Sequence, residues 1–325
     1  MAWSKVLNFS DPDQYTAAVR AADMQVFTTA KGEFRAELTQ VVMNKLWMQR
    51  FRENLPRVHK GAIRHGRRVF NFLTEGQPEV YNRGRVMSLG EICADDFDVQ
   101  HVRTLGGYRL GSASLGTEAF AAAYKAIIGC EFDAERGERF IRPNPDLMGR
   151  LLQLHAMAGS IAKTSPELFE LHEVVRALEQ QLVHVLIRCA ADGVATRTGS
   201  QHLPHLAIIA RFEEFLEANP NRPLHLTDVC AAVGAAERTL RAACEEHLGM
   251  GPIRYLTFRR MHLVRRALVR AAPATAKVTQ IAMDHGFWEL GRFSVAYRQL
   301  FGETPSESLR RPADDRHVRR PSLLR

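Results

Sequence analysis

A helix–turn–helix pattern occurs twice in the last third of the chain, and this repeat limits the possible folds more than any other feature of the sequence. The first copy lies at 226–249 and the second at 278–302. In each copy, two short apolar helix faces flank a turn with a glycine, Gly234 in the first and Gly286 in the second, 52 residues later. Glycine suits the left-handed backbone that ends a helix. The sequence therefore predicts two helix pairs, each closed by a glycine turn.

The second helix of each pair is expected to keep one face free of apolar side chains. In the first copy we expect Thr227 to cap the leading helix and Glu237 to open the second one. The predicted outward faces comprise Arg238, Arg241, Ala242 and Glu245 in the first copy, and Leu290, Gly291, Arg292, Ser294 and Val295 in the second. Arginine at the start of such a helix can form bidentate hydrogen bonds with guanine in the major groove of DNA. One helical hairpin would be weak evidence for DNA binding, whereas two are much stronger evidence.

A predicted helix at 253–271 joins the two copies. It carries six arginines and no acidic residue between Arg254 and Arg270. A charge run is usually a solvated helix face, and proximity to DNA phosphates is an equally weighted alternative. The net charge of +8 permits a polyanionic partner without requiring one. Two helix pairs on one rigid helix could enter successive major grooves, which lie about 34 Å apart on one face of the DNA.

The C-terminal part, 203–310, resembles the AraC/XylS family of transcriptional regulators. The matching residues are Gly251-Pro252-Ile253-Arg254-Tyr255-Leu256, Arg259, Arg260, Ile281-Ala282, Gly286-Phe287, Phe293-Ser294, Tyr297-Arg298, Phe301-Gly302 and Thr304-Pro305-Ser306. These motifs are specific, and they cover about one third of the chain. The resemblance implies a DNA-binding domain of seven helices, with double-stranded DNA as the partner and RNA polymerase as a possible second one.

The resemblance also implies which residues contact DNA. They are Arg238, Thr239 and Arg241 in the first copy, and Gly291, Arg292 and Val295 in the second. Family members often carry a polar or basic residue where Ala242 and Val295 stand, although Val295 could contact a thymine methyl group. We therefore expect base recognition mainly from the first copy. Glu245 lies on that same face, and Arg292, Ser294 and Arg298 are expected to contact the DNA backbone.

The first 190 residues have a different texture, and the whole chain is expected to be α+β. An arm of about 23 polar residues is followed, up to about residue 115, by short runs with regular glycine turns, which indicate a β-sandwich or barrel. This part resembles, less sharply, the cupin-like sensor domains of the same family, which often bind a small effector and dimerise through the helices that follow. We predict a sensor and dimerisation domain at 1–190, a linker at 191–202, the DNA-binding domain at 203–310 and a disordered basic tail at 311–325.

Two helices before the linker carry apolar stripes. The first stripe runs from Leu147 to Ile161, and the second, a heptad seam, runs from Leu168 to Cys189. Ser165 is expected to cap the second helix. The stripes can pack inside their own domain or form a homodimer interface, and the sequence favours neither alternative.

Several classes of protein are disfavoured by the sequence. There is no apolar stretch long enough for a transmembrane helix and no apolar signal core, so we expect a cytoplasmic protein with no membrane partner. The five cysteines are scattered, which argues against disulfides or a four-cysteine zinc site. His59 and His65 are the only close histidine pair at the expected strand level, and known metal and catalytic motifs are missing. We therefore expect no metal, no cofactor and no catalytic residues.

Two further alternatives remain at this stage. An architectural DNA-binding protein is disfavoured, because it would hardly need so large an N-terminal part. A regulator of the same fold whose N-terminal domain only dimerises or binds a protein partner stays open. The sequence leaves the effector unidentified.

Overall fold

The chain folds into a β-rich N-terminal part and an all-helical C-terminal part. A computed structural model describes residues 2–95, 100–132, 140–195, 202–220 and 224–310. The predicted tail at 311–325 and most of the predicted linker, 196–201, lie outside the described residues. The combination of β-sheets and helices agrees with the expected α+β class.

The strands occupy the first 195 residues. They are β1 Trp3–Phe9, β2 Ala22–Thr28, β3 Ala36–Val42, β4 Leu46–Glu53, β5 Arg57–Ile63, β6 Arg67–Leu73, β7 Val80–Asn82, β8 Arg85–Met87, β9 Ile92–Asp95, β10 Gln100–Thr104, β11 Tyr108–Gly116, β12 Phe140–Arg142 and β13 Val194–Ala195. The glycine-punctuated runs predicted as strands are thus confirmed.

Two antiparallel sheets are built from these strands. The first has eight strands in the order β1-β3-β4-β11-β6-β9-β12-β13, and the second has five in the order β2-β5-β10-β7-β8. Buried side chains from both sheets, such as Leu38, Phe72 and Val102, belong to one hydrophobic core. Because side chains alternate along a strand, the five-stranded sheet also has an opposite face, away from this core.

The helices are α1 Pro12–Ala18, α2 Thr117–Ile128, α3 Pro145–Thr164, α4 His172–Asp192, α5 His202–Ala218, α6 Leu226–Val233, α7 Glu237–Leu248, α8 Pro252–Arg270, α9 Val278–Asp284, α10 Leu290–Phe301 and α11 Pro305–Leu309. Two local expectations were wrong. The first residues are not a polar arm, because β1 pairs with β3 along its whole length. Ser165 does not cap α4, because a short 3₁₀ segment, Pro166–Glu170, intervenes and α4 begins only at His172.

The heptad seam is buried within the chain. Its members from Val175 to Cys189 are at most 6% exposed and join the core formed by α2, α3 and the sheets, whereas Leu171 is 52% exposed. The seam therefore packs inside its own part of the structure and is not free to contact a second copy. The homodimer stays a prediction. The domain boundary at residue 190 also stays a prediction, although α4 and β13 extend into the first residues of the predicted linker.

The outward face of the five-stranded sheet packs against the helical part. Phe27 on β2 makes edge-to-face contacts with Tyr255 and His262 on α8. Val58 on β5 joins the hydrophobic cluster of the first helix pair. The His262 ring also hydrogen-bonds the carbonyl oxygen of Thr28 through Nε2, at 3.1 Å. The two parts of the chain are thus in direct contact.

The buried ring of His262 should make the stability of this arrangement dependent on pH. Burial and the charges of Arg266 and Arg265 lower its pKa to about 3, although the hydrogen bond with Thr28 raises it. The unfolded chain, with a histidine pKa near 6.5, then takes up a proton that the folded chain does not. The folded pKa is the lower one, so this contribution to stability is complete above pH 6.5 and is lost as pH falls towards 3. The free energy of unfolding, measured with urea, should therefore fall less steeply between pH 6.5 and 3 in His262→Gln, by up to about 1.4 kcal/mol per pH unit. Equal slopes for the two proteins would contradict this.

Candidate nucleic-acid interface

The first helix–turn–helix unit consists of α6 and α7. Val229 and Val233 of α6 and Leu240 of α7 are buried in one cluster with α5 and the start of α8. Gly234 ends α6 in the left-handed region at φ 65°, as its position in the sequence predicts. Thr227 is not the N-cap, because His225, two residues earlier, forms a capping box with Asp228. The turn of the first unit is therefore as predicted, whereas the N-cap of its first helix is a different residue.

The second unit consists of α9 and α10. Ala282, Phe293 and Tyr297 form its core, in which Ala282 and Tyr297 have no exposed surface. The Tyr297 hydroxyl lies 2.7 Å from the Ser308 hydroxyl on α11, so the last helix is fixed to this core. Phe287 and Phe293 pack on each other in this core, with ring centroids 4.9 Å apart.

Helix α8 connects the two units. Tyr255 and Leu256 in its first half belong to the core of the first unit, and Val264 and Leu268 in its second half belong to that of the second. The helix has 19 residues, which corresponds to a length of about 28 Å. This length is close to the spacing of successive major grooves, about 34 Å. One continuous helix thus holds both units.

Three of the six arginines on α8 are bound by other groups of the chain, whereas Arg254 and Arg270 are exposed. Arg259 is 7% exposed and donates to the Leu216 carbonyl at 3.2 Å. Arg266 pairs with Asp13 at 2.7 Å and Arg265 with Glu303 at 3.2 Å. Neighbouring carboxylates and a carbonyl bind these three side chains, which favours neither the solvated face nor the phosphate alternative for them.

The predicted recognition residues are all exposed. They are Arg238, Thr239, Arg241 and Glu245 on α7, and Gly291, Arg292, Ser294, Val295 and Arg298 on α10. The guanidinium of Arg241 pairs with Glu237 at 2.7 Å, and that of Arg292 pairs with Glu289 at 2.8 Å. Ion pairs this exposed contribute little free energy. Both arginines can therefore leave their carboxylates to bind another anion.

An exposed indole, which was not predicted from the sequence, lies beside α10. Trp288 is 63% exposed in the turn before α10, and Val295 on that helix is 60% exposed. Apolar spacing could not reveal Trp288, because it stands in a turn between the core residue Phe287 and the N-cap Glu289. The signal that could have pointed to Trp288 was a large aromatic residue at a position where neither helix needs an apolar side chain.

A second candidate site is a cavity between the two sheets of the N-terminal part. Its cavity volume is small, about 50 Å³. The lining is largely apolar and is formed by Val19, Arg20, Ala22, Met24, Gln49, Phe51, Arg57, His59, Ile63, Val69, Asn71, Val80, Asn82, Met87, Val102, Tyr108, Leu110 and Ser112. Most ligand pockets combine an apolar lining with a few fixed polar groups in this way.

The polar side of the cavity is built around Arg57. Its fully buried guanidinium pairs with Glu53, lies 4.4 Å from the centre of the Tyr108 ring and contacts Nδ1 of His59. Burial, Arg57 and His101 lower the pKa of His59 well below its usual value, which keeps this ring neutral. The polar groups of the cavity are thus held in fixed positions.

Neither part of the chain shows a membrane span or a metal-binding cluster within the ranges that the structure covers. Over those ranges no helix is both long and apolar enough to cross a bilayer. Among the same residues, no three His, Cys, Asp or Glu side chains are grouped so that they could hold a metal ion.

Comparison with known proteins gives a family match in the C-terminal third and several similar proteins. A family model described as "Helix-turn-helix domain" matches residues 229–311. A Rhodococcus erythropolis protein, "Probable thc operon regulatory protein", is 35% identical over 45% of this chain and 44% of its own length. A Pseudomonas putida protein, "XylDLEGF operon transcriptional activator 2", is 34% identical over 30% of this chain and 63% of its own length. The chain thus matches less than two thirds of the length of either relative.

Among solved structures, one from Rhodopseudomonas palustris is described as a probable AraC family transcriptional regulator. It is 33% identical to this chain, and the match covers 32% of this chain and 98% of that structure, with a TM-score of 0.30.

The two glycine turns should be intolerant of a side chain. We expect Gly234→Ala to lower the free energy of unfolding by about 1–2 kcal/mol, because alanine is strained in the left-handed region. Gly286→Ala should cost more, since its added methyl would also lie 3.2 Å from the Arg260 guanidinium. Gly291→Ala is the control, because it lies in a helix with nothing within 4 Å of the new methyl, and it should not destabilise. Urea unfolding measures all three, and equal effects would contradict the assigned turns.

Proposed function

Because the chain belongs to the AraC/XylS family of transcriptional regulators, we propose that it binds specific sequences in double-stranded DNA and regulates transcription there. The observation that supports this best is the exposure of all nine predicted contact residues on two helix–turn–helix units that share α8. A helical domain with another role would not need two such faces. This role requires no catalytic group and would be carried out in the cytoplasm.

We assign different roles to the two recognition helices. Arg238 and Arg241 on α7 would bind guanine edges in the major groove. On α10, Arg292 and Arg298 would bind DNA phosphates, and the exposed Val295 would contact a thymine methyl group. Thr239, Glu245, Gly291 and Ser294 complete the two surfaces. Base recognition would then come mainly from the first unit, and positioning mainly from the second.

Arg241→Ala tests the assigned role of α7. We expect it to weaken binding to the best DNA site by about 1–3 kcal/mol and to relax the preference at one base pair, because a bidentate contact is lost. The measurement is fluorescence anisotropy on that site and on a set of single-base variants. The control is Arg35→Ala, which removes another exposed, ion-paired arginine, from the N-terminal part, and should leave affinity unchanged. An equal loss on every sequence would make Arg241 a phosphate contact instead.

We further propose that residues 1–190 form a cupin-like sensor domain and that the cavity between the two sheets binds a small effector. Its mostly apolar lining and its fixed polar groups around Arg57 support this assignment. Homodimerisation and contact with RNA polymerase are part of the same proposal. If a second copy binds, it has to use a surface other than the seam of α4, whose apolar residues are buried within the chain.

Thermal unfolding of the whole chain against a panel of small acids, alcohols, amides and aromatic compounds tests the effector site. At least one compound class should raise the melting temperature, because a ligand that binds only the folded state stabilises it. Val80→Phe, which places a ring into the cavity wall, should abolish that increase. If no class stabilises the protein, the alternative is favoured, in which the N-terminal domain only dimerises or binds a protein partner.

A further inference from the structure

The five-stranded sheet is a wall with different neighbours on its two faces. One face lines the cavity and the other contacts the DNA-binding helices. The side chains on the cavity face are Ala22, Met24, Arg57, His59, Ile63, Val80, Asn82, Met87 and Val102. Those that contact the helical part are Phe27, Val58, Lys60, His101 and Arg103. Strands β2, β5 and β10 contribute to both sets, so neither face of these three strands can move without the other.

Strand β5 shows the alternation most clearly. Arg57 and His59 face the cavity, whereas Val58 and Lys60 face the helices. Lys60 forms an ion pair with Glu217 on α5, with 2.6 Å between Nζ and Oε1. Consecutive residues of one strand therefore belong to two different sites, as the pleat of a strand requires.

Strand β10 repeats this arrangement in register with β5. Val102 lines the cavity and lies opposite His59, and His101 lies opposite Lys60. His101 is 3% exposed, and its Nε2 is 3.5 Å from the Glu213 carboxylate on α5. Two neighbouring strands thus present their outward residues to the same acidic group.

Glu213 is the centre of this contact. Its carboxylate is 2% exposed and accepts a hydrogen bond from the Tyr255 hydroxyl at 2.5 Å. Lys60 lies 3.8 Å away. Burial alone would raise the pKa of Glu213, but His101, Tyr255 and Lys60 together lower it to about 2. A buried carboxylate of the DNA-binding part therefore depends on groups that the sheet supplies.

The same docking extends along α8 to the second unit. Arg266 binds Asp13, and Arg265 lies between Asp11, at 3.5 Å, and Glu303, at 3.2 Å. Both units are thus held by the N-terminal part. The predicted DNA-contacting residues of both units stay exposed. The contact with the N-terminal part therefore fixes the positions of the two units without covering those residues.

We propose that this sheet couples the cavity to the DNA-binding helices, so that side-chain packing in the cavity determines how strongly the sheet binds them. The contact of Glu213 with His101 and Lys60, which we call the latch, is the main site of this binding. The inference rests on the proposed function for its biological meaning, although the coupling itself needs neither DNA nor effector. The contact combines these ionic and polar groups with the apolar Phe27 and Val58, and a contact of such mixed character separates more readily than a large, wholly apolar one. A ligand that packs better in one state of the wall shifts the population towards that state.

A matched pair of cavity variants tests the coupling. Val102 and Val69 both line the cavity and are 4% and 6% exposed, but only Val102 lies in the five-stranded sheet. In hydrogen–deuterium exchange of the whole chain, we expect Val102→Ala to speed amide exchange in α5 at least tenfold. Val69→Ala should leave exchange in α5 within twofold of wild type. If the two variants change α5 equally, or if neither changes it, the sheet does not couple the two sites.

A charge exchange tests the latch separately, and it keeps the proposal falsifiable if Val102→Ala does not fold. Lys60→Glu places a third carboxylate beside Glu213 and Glu217, so exchange in α5 should rise at least tenfold. Adding Glu217→Lys restores the opposite pair and should recover most of the protection. No change in α5 for Lys60→Glu, or no recovery in the double variant, would overturn the latch. Because no DNA is present, a protein that keeps this coupling but binds no operator would contradict only the proposed function.

Discussion

The shared burial of α8 is the constraint on which the rest of the C-terminal part depends. Half of this helix is buried in the core of the first unit and half in that of the second, through residues such as Tyr255 and Leu268. The helices of the two units have 7 to 12 residues, and helices this short are marginal in isolation, so each unit depends on packing such as that against α8. The helix therefore sets the distance between the two recognition helices and, through Phe27 and His262, also fixes their contact with the N-terminal sheet.

The sequence predicted the local geometry of the candidate site well, because that geometry follows from short-range chemistry. Gly234 and Gly286 adopt the left-handed backbone expected of glycine turns, and the spacing of apolar residues placed Arg238 and Arg241 on an open face. The regular glycine turns also indicated the short strands of the N-terminal part. These features need no knowledge of distant parts of the chain.

Long-range partners were not predictable in the same way. The ion pairs of Arg265 and Arg266 could not be predicted, because Asp11 and Asp13 stand some 250 residues earlier in the chain. The heptad seam of α4 could equally have served a second copy, and only the fold shows that the chain itself buries it. The latch at Glu213 was missed for the same reason, since its partners come from another domain. Docking of the sheet now links the cavity to the DNA-binding helices, and this gives the effector proposal a physical route.

The central claim is that both units contact DNA at once, and hydroxyl-radical footprinting on a selected operator tests it most directly. The structure predicts two protected segments on one face of the duplex, with centres about one helical turn, 10–10.5 base pairs, apart. A single protected segment of one major groove would contradict the claim, because one of the two units would then be unused.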